Sequence, residues 1–346
     1  MGNSNQIVEK YFSDSHFSDN VDTITKELVR LTDFKIEKEL FRGFIYDEQK
    51  LGSVIYKGFF RNRQSVLKIQ GLPPETDEID IIHNFKSQNK SLVVRLPELY
   101  GYSHYDPVKG YGYLITEFID GPHIFEMPYA SSKEKEEFCN FYQEYRKNTL
   151  NTPFIGKAEG STIDFLIRRV DMWRRVAEDR KNTFLRLDKA KIDNICARYK
   201  ECVENYAKNI NMVFCHGHLT ANDIFKKGSD YILLSNLYWS YRPELYDLVF
   251  GVHWCIENIA KSGFSDSDLE KFIAEWFHFF YNIPVVAEDP EGKHKLHFML
   301  LERTMGGILL DTGAQPLTNE NANRLFPMQA RLLENLIERI ELKHYF

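Results

Sequence analysis

The chain has 346 residues, 43% of them apolar, which is ample for the packed core of one large or two ordinary domains. Forty-four basic against fifty acidic side chains leave a formal charge of −6, which removes general attraction to nucleic acid or to an anionic membrane surface. Cys139, Cys196, Cys202, Cys215 and Cys255 follow no paired metal-ligand spacing, no run of eighteen apolar residues offers a membrane span, and the opening stretch MGNSNQIVEKYFSDSHF lacks the marks of a secretory signal. Reduced thiols and a cytoplasmic location are therefore expected. Gly2 suggests an acylation signal, but Gln6 occupies the position that needs serine or threonine.

Residues 21–33, VDTITKELVRLTD, place Ile24, Leu28 and Leu31 at helical spacing and predict a short packed helix. From Phe34 the period falls to two. FKIEKELFRGF, GSVIYKGFF and RQSVLKIQG are short alternating runs between turn-like segments, the pattern of an antiparallel meander. After Pro73-Pro74, ETDEIDIIHNFKSQN puts Ile79, Ile82 and Phe85 on one helical face. RLPELYGYSHYD and YGYLITEFIDG read as a hairpin whose second strand leads into Glu117-Phe118-Ile119-Asp120-Gly121, where glycine permits a sharp change of direction. Beyond residue 120 the period becomes helical. SSKEKEEFCNFYQEYRKNT opens on a Ser131-to-Glu134 capping box, and TIDFLIRRVDMWRRVAEDR and DKAKIDNICARYKECVENYAKN follow. Further helices are expected in PELYDLVFGVHWCIENIAK, SDSDLEKFIAEWFHFFYN, KLHFMLLERTMGGILL and NRLFPMQARLLENLIERIEL.

Between these helical blocks lies VFCHGHLTANDIFKKGSDYILLSNLYWSYRPELYD, residues 213–247. A strand end, Met212 to Cys215, runs into His216-Gly217-His218. A polar loop, a hairpin turned by Lys227-Gly228-Ser229-Asp230 and the apolar strand Tyr231 to Leu234 follow. This stretch resembles the catalytic loop of the aminoglycoside phosphotransferase and choline kinase-like families, roughly His-Gly-Asp-Leu-His-Pro-Gly-Asn-Ile. Laid on it without a gap, the family's catalytic aspartate falls on His218 and its metal-binding asparagine on Asp223. Twelve residues on, the second metal aspartate meets Ser235, and twelve more reach Asp247 in Tyr246-Asp247-Leu248, where the family opens a long helix. The register holds at both ends while the chemistry between them has changed.

The resemblance implies an α+β, bilobal protein-kinase-like fold. Its small antiparallel β-rich N-lobe would cover residues 1–120, with a leading helix, a five-stranded sheet and one helix that pairs a lysine. A large, mostly helical C-lobe would cover 121–346 and carry the catalytic-loop-like hairpin 213–237. The resemblance also implies ATP and Mg²⁺ as cofactors of an active form. Lys68 in SVLKIQG would hold the α- and β-phosphates, with Glu78 as its carboxylate partner and Asp80 as the second candidate. Glu117, Phe118 and Ile119 would form the hinge whose backbone meets the adenine edge. GFIYDEQKLGS, between the first two strands, offers only Gly43 and Gly52, with Asp47 and Glu48 between them; two acids there weigh against tight binding of a triphosphate.

Phosphoryl transfer needs a positioned acceptor and cations against the phosphate charge. A neutral imidazole at His218 can take a proton, since an unperturbed histidine has a pKa of about 6.5, yet once protonated it is a cation where the family keeps an anion. Asp223 is a stronger Mg²⁺ ligand than asparagine, Ser235 a weaker one than aspartate, and Asn236 would have to shift by one position to help. The reading taken from this is a catalytically impaired, pseudokinase-like protein that acts by binding a nucleotide, a small molecule or a protein partner. The alternative is an active ATP-dependent phosphotransferase acting on a small hydroxyl- or amine-bearing molecule, with His218 as base and Asp223 as main metal ligand. In a third reading His216, His218 and Asp223 form a zinc-like hydrolase centre, because residues two apart in a strand point the same way. That leaves the twelve-residue intervals as coincidence. In the family His216 braces the loop, and Asp247 is expected to accept backbone hydrogen bonds from it.

Overall fold

The computed structural model describes residues 17–44, 51–73, 76–149, 158, 160–259 and 264–346. Asp47 and Glu48 lie outside the described residues, as do Gly2 and Gln6. The chain forms two compact units. Of the described residues, a sheet unit takes those from Phe17 to Pro122 together with Phe225–Trp239, and a helical unit takes those of His123–Ile224 and Ser240–Phe346.

In the sheet unit, helix α1 (Phe17–Thr32) turns Phe17, Val21, Ile24 and Leu28 inward, a stripe at helical spacing. Leu31, expected on that stripe, is 64% exposed, because the helix stops at Thr32 and Phe34 carries the chain back into the core. Strands β1 (Lys35–Phe44), β2 (Leu51–Phe60), β3 (Arg63–Gln70), β5 (Leu99–Asp106) and β6 (Tyr111–Glu117) form one antiparallel sheet in the order β1-β2-β3-β6-β5. Arg61 and Asn62 join β2 to β3, both with positive φ, the geometry of a two-residue hairpin whose turn matches the strand twist. Alternation along β3 buries Leu67 and Ile69 completely and directs Lys68, between them, to the opposite face.

Helix α2 (Glu78–Gln88) begins at Asp77, whose carboxylate accepts from the Ile79 N–H at 2.9 Å, and it buries Ile79, Ile82 and Phe85 as its spacing predicts. The two-residue strand β4 (Val94–Arg95) runs parallel to β9 (Asp230–Leu233), which also pairs with β8 (Ile224–Lys227). This pairing draws segment 225–239 into the sheet unit, whereas the sequence suggested grouping it with the helices. Gly121 serves the same junction. A Cβ there would sit 2.2 Å from the Lys226 carbonyl oxygen, so only glycine lets β8 approach closely enough for the Lys226 N–H to donate to the Pro122 carbonyl at 2.9 Å.

The helical unit contains α3 (Ser132–Thr149), α4 (Thr162–Arg180), α5 (Asn182–Arg186), α6 (Lys189–Tyr206), α7 (Tyr246–Ile259), α8 (Asp266–Phe280), α9 (Pro284–Ala287), α10 (Gly292–Gly306) and α11 (Glu320–Leu342). The short antiparallel pair β7 (Met212–Cys215) and β10 (Ser240–Pro243) completes it. The capping box ahead of α3 is formed: the Glu134 carboxylate accepts from the Ser131 N–H at 2.8 Å and its hydroxyl at 2.6 Å. Helix α10 is buried on every side and runs on into a π-helical turn, Gly307–Asp311. It carries charge into the core, with Glu302 wholly buried and Arg303 nearly so, beside Arg169 of α4.

All five cysteines belong to this unit and all are buried. Burial pushes the thiols of Cys139, Cys202 and Cys255 up to about 12 and that of Cys196 to about 11, and raises that of Cys215 as well. Among the described residues, no helix is long and apolar enough to cross a membrane.

Candidate functional site

In the sheet unit, Lys68 stands on β3 between Ile55 of β2 and Leu114 of β6. Its Nζ donates to Glu78 Oε2 at 2.5 Å, and the two side chains are only 12% and 8% exposed. Glu78 is the first residue of α2, where the helix N-terminus also favours a carboxylate. Asp80, the second candidate, is exposed, so the pairing falls to Glu78. An ion pair this well covered holds an ammonium group at a fixed position on the sheet.

Trp239 supports the helix that brings Glu78 in. It is fully buried, its carbonyl accepts from the Thr76 hydroxyl at 2.6 Å, and its ring meets Phe85 of α2 edge-on at 6.0 Å. Its Nε1 donates to Asn236 Oδ1 at 3.0 Å, while Asn236 Nδ2 donates to the Leu233 carbonyl at 2.9 Å. Asn236, expected to help ligate a metal, is thus 1% exposed and holds the turn from both ends of its amide. A one-position shift toward a ligand would break both bonds. Ser235 precedes it in left-handed backbone, φ 57° and ψ 39°, and offers a hydroxyl where the family offers a carboxylate.

At the end of β6, Glu117 accepts from Arg95 Nη1 and Nη2 at 2.7 and 3.1 Å and from Lys227 Nζ at 3.0 Å. Burial alone would raise this carboxyl, but the two cations outweigh it and bring it down to about 2. The Glu117 side chain therefore ties the strand end to the 225–239 hairpin. Its N–H donates to the Glu98 carbonyl, and the Phe118 N–H to that of Gln64 at 3.5 Å. Of the three residues expected at the hinge, Ile119 is the one whose N–H and C=O bond no other backbone group among the described residues.

Because the folded carboxyl lies at about 2 and the ordinary value is 4.5, the Glu117 contribution is complete above about 4.5 and is lost as pH falls through about 2. Acid titration followed by circular dichroism is expected to show a stability loss in that window that Glu117→Gln removes. An unchanged acid limb in the variant would discount the cluster.

The structure also gathers Asp77, Asp80 and His104, with ligand atoms within 4.8 Å of one another. Asp77 already caps α2 and bonds His104 Nδ1 at 2.6 Å, an arrangement that serves the helix end.

In the helical unit, β7 delivers residues 216–218. Asp247, at the start of α7, accepts from the Gly217 N–H through Oδ1 at 2.9 Å. Its Oδ2 accepts from the Tyr145 hydroxyl at 2.6 Å and the His216 N–H at 3.2 Å. Gly217 has φ +75°, which turns its N–H toward that carboxylate. Burial, and then the charge of Asp247, push Tyr145 well up and keep its hydroxyl a donor. His216 is fully buried and its Nδ1 accepts from the His218 N–H at 3.3 Å. Asp247 and His216 therefore brace the loop, as expected of them.

His218 is half-buried, its ring centroid 4.9 Å from that of Phe250 and 6.1 Å from that of Trp254. Its Nδ1 lies 3.2 Å from Asp223 Oδ2. The same oxygen accepts from the Thr220 N–H at 3.0 Å and the Thr220 hydroxyl at 2.6 Å, capping the 3₁₀ turn Ala221–Asp223. The carboxylate aligned with the metal-binding asparagine thus faces its own loop. The third expectation, a ligand centre of His216, His218 and Asp223, is not assembled among the described residues, because His216 turns into the core to brace the backbone.

No protein-family model and no curated protein matches the sequence. Solved structures do match the fold. Aminoglycoside phosphotransferase APH(4)-Ia superposes with a TM-score of 0.56 at 11% identity, covering 92% of this chain and 98% of that one. A streptomycin–ATP–APH(2″)-IIa ternary complex gives 0.53 at 13% identity, covering 92% and 96%. A provisionally assigned fructosamine-3-kinase from Haemophilus somnus 129PT gives 0.51 at 11% identity, also covering 92% and 96%. By architecture the chain is accordingly a bilobal α+β protein with the protein-kinase-like fold of aminoglycoside phosphotransferases and fructosamine-3-kinases.

Proposed function

We propose that this is a kinase-fold protein that binds a nucleotide but is impaired in phosphoryl transfer. The Lys68–Glu78 ion pair carries the reading, since it presents the fixed cation that phosphate groups need. Structures of the same fold hold ADP with hygromycin B, or ATP with streptomycin, which supports a nucleotide and a small hydroxyl- or amine-bearing molecule as the ligand classes. The metal positions argue for impairment. Mg²⁺ takes hard oxygen ligands in octahedral order; of the positions the resemblance assigns to it, the sheet unit offers a serine hydroxyl and an engaged amide, and the helical unit a carboxylate oxygen that already accepts from the Thr220 N–H and hydroxyl and faces His218 Nδ1. Taken one by one, these groups are poor ligands for the ion. Buried, reduced thiols suit work in the cytoplasm.

Thermal-shift titration with ATP, ADP and GTP tests this. Nucleotide at about 100 times its dissociation constant should stabilise the fold by about 2.7 kcal/mol. The gain should be equal with and without Mg²⁺ and should vanish in Lys68→Met. No response to any nucleotide would sink the proposal.

A second reading, transfer to a small hydroxyl or amine with His218 taking the proton, is favoured by the contact of its Nδ1 with Asp223. Turnover in the natural chain that is lost in His218→Ala, with nucleotide binding kept, would select it. Turnover confined to the His218→Asp, Ser235→Asp double variant would select the first.

A further inference from the structure

We infer that Asp223 is a positioning residue for His218, fixing the tautomer in which Nδ1 carries the hydrogen and Nε2 the electron pair. The inference deepens the second reading above and rests on it for its catalytic meaning, although the geometry stands by itself.

Asp223 is 5% exposed, and three groups converge on its Oδ2: the Thr220 N–H, the Thr220 hydroxyl and the imidazole edge of His218. The backbone N–H is a donor in any protonation state, and the Thr220 hydroxyl, at 2.6 Å, gives its hydrogen to the same oxygen. An oxygen that accepts from both has its lone pairs engaged and no hydrogen of its own to give. The nitrogen facing it at 3.2 Å must therefore be the donor, and in a neutral imidazole this leaves the lone pair on the other nitrogen. Phe250, and Trp254 one turn along α7, lie against the ring and fix its plane. A buried carboxylate that orients an imidazole through Nδ1–H and stabilises the imidazolium it becomes is the relation found in serine hydrolases.

This assignment removes the objection to histidine at a position where the related enzymes keep an anion. The proton passes from the acceptor hydroxyl to Nε2 as its oxygen bonds to the γ-phosphorus of a nucleoside triphosphate and the bond to the diphosphate breaks. The positive charge left on the ring then lies beside Asp223, so the pair together carries no net charge. As a metal ligand, Asp223 would instead share that oxygen with three hydrogen bonds.

Long-range ¹H–¹⁵N NMR of the full chain with labelled histidine reads the tautomer directly, at a pH where imidazoles are neutral. The natural chain is expected to show His218 with Nδ1 protonated and Nε2 bare. Thr220→Val, which deletes only the hydroxyl bond to Asp223, should keep that pattern. Asp223→Ala should reverse it to the Nε2–H form that an unconstrained histidine prefers. A natural chain already in the Nε2–H form, or an Asp223→Ala chain that keeps Nδ1–H, overturns the inference. Should Asp223→Ala fail to fold, the natural spectrum alone decides. None of these readings needs nucleotide or turnover, so a chain with the expected tautomer and no activity would refute the second reading while leaving the role of Asp223 standing.

Discussion

Glu302→Ala is expected to destabilise the helical unit by about 3–5 kcal/mol, the range for breaking one side of a buried ion pair. Glu302 is wholly buried on α10, and its Oε1 lies 2.9 Å from Arg169 Nε of α4. The approach is too poorly aligned for a hydrogen bond, and neither carboxylate oxygen accepts one among the described residues, so the attraction is Coulombic. Arg169 is enclosed by rings, 4.7 Å from the centroid of Trp173 and 5.2 Å from that of Phe165, and Arg303 is close by, 3.8 Å from the same glutamate. Deleting Glu302 leaves two guanidinium groups with, among the described residues, Asp311 as the carboxylate paired with Arg303, at 2.8 Å. Denaturant unfolding should show a lower midpoint at unchanged slope. The double variant Arg169→Met, Glu302→Leu should recover most of the loss, since an apolar pair of similar volume avoids the desolvation cost. A single variant within about 1 kcal/mol of the natural chain would mean that water reaches the cluster.

Trp239→Ala should cost about 3–5 kcal/mol as well, but in the sheet unit. The indole fills the space beneath Phe85 and holds Asn236 through Nε1. Its removal frees both α2, which carries Glu78, and the turn after β9. Hydrogen exchange resolved by segment should show lost protection in 78–88 and 231–233 and none in 246–259 or 292–306. The nucleotide-dependent thermal shift should shrink with it, because Glu78 no longer fixes Lys68. Trp239→Phe, which keeps most of the volume, should lie between. Equal loss of protection in α10 would refute the assignment of this residue to the sheet unit alone.

Some of this was readable in the sequence and some was not. Lys68 between Leu67 and Ile69, followed by an Asp77-capped helix with glutamate at its first position, is a local pattern, and the structure repeats it. Asp247, which the intervals from His218 reach, accepts from the Gly217 and His216 N–H groups of the same loop. Tyr145, which shares Asp247 with that loop from 102 residues away, left no local trace. Strand β4 is two residues long, too short to show a period, so nothing announced that the hairpin would pair with it. Asn236, expected to help hold a metal after a one-position shift, follows Ser235 in left-handed backbone and is buried in the turn, a conformation that no residue type there announces. Asp223 is the instructive case. Thr220-Ala221-Asn222-Asp223 is itself a capping-box pattern, and in the structure the local hydrogen bonds prevailed over the metal role that alignment assigned.

The distribution of the cysteines has an experimental consequence. Every thiol sits in the helical unit, shielded and held in its unreactive protonated form. The rate at which a maleimide labels the native chain therefore counts openings of that unit and is blind to the sheet carrying Lys68. The molecule has a reporter built into one of its halves, and comparing labelling with and without nucleotide would tell whether a ligand anchored on the sheet alters the breathing of the helices.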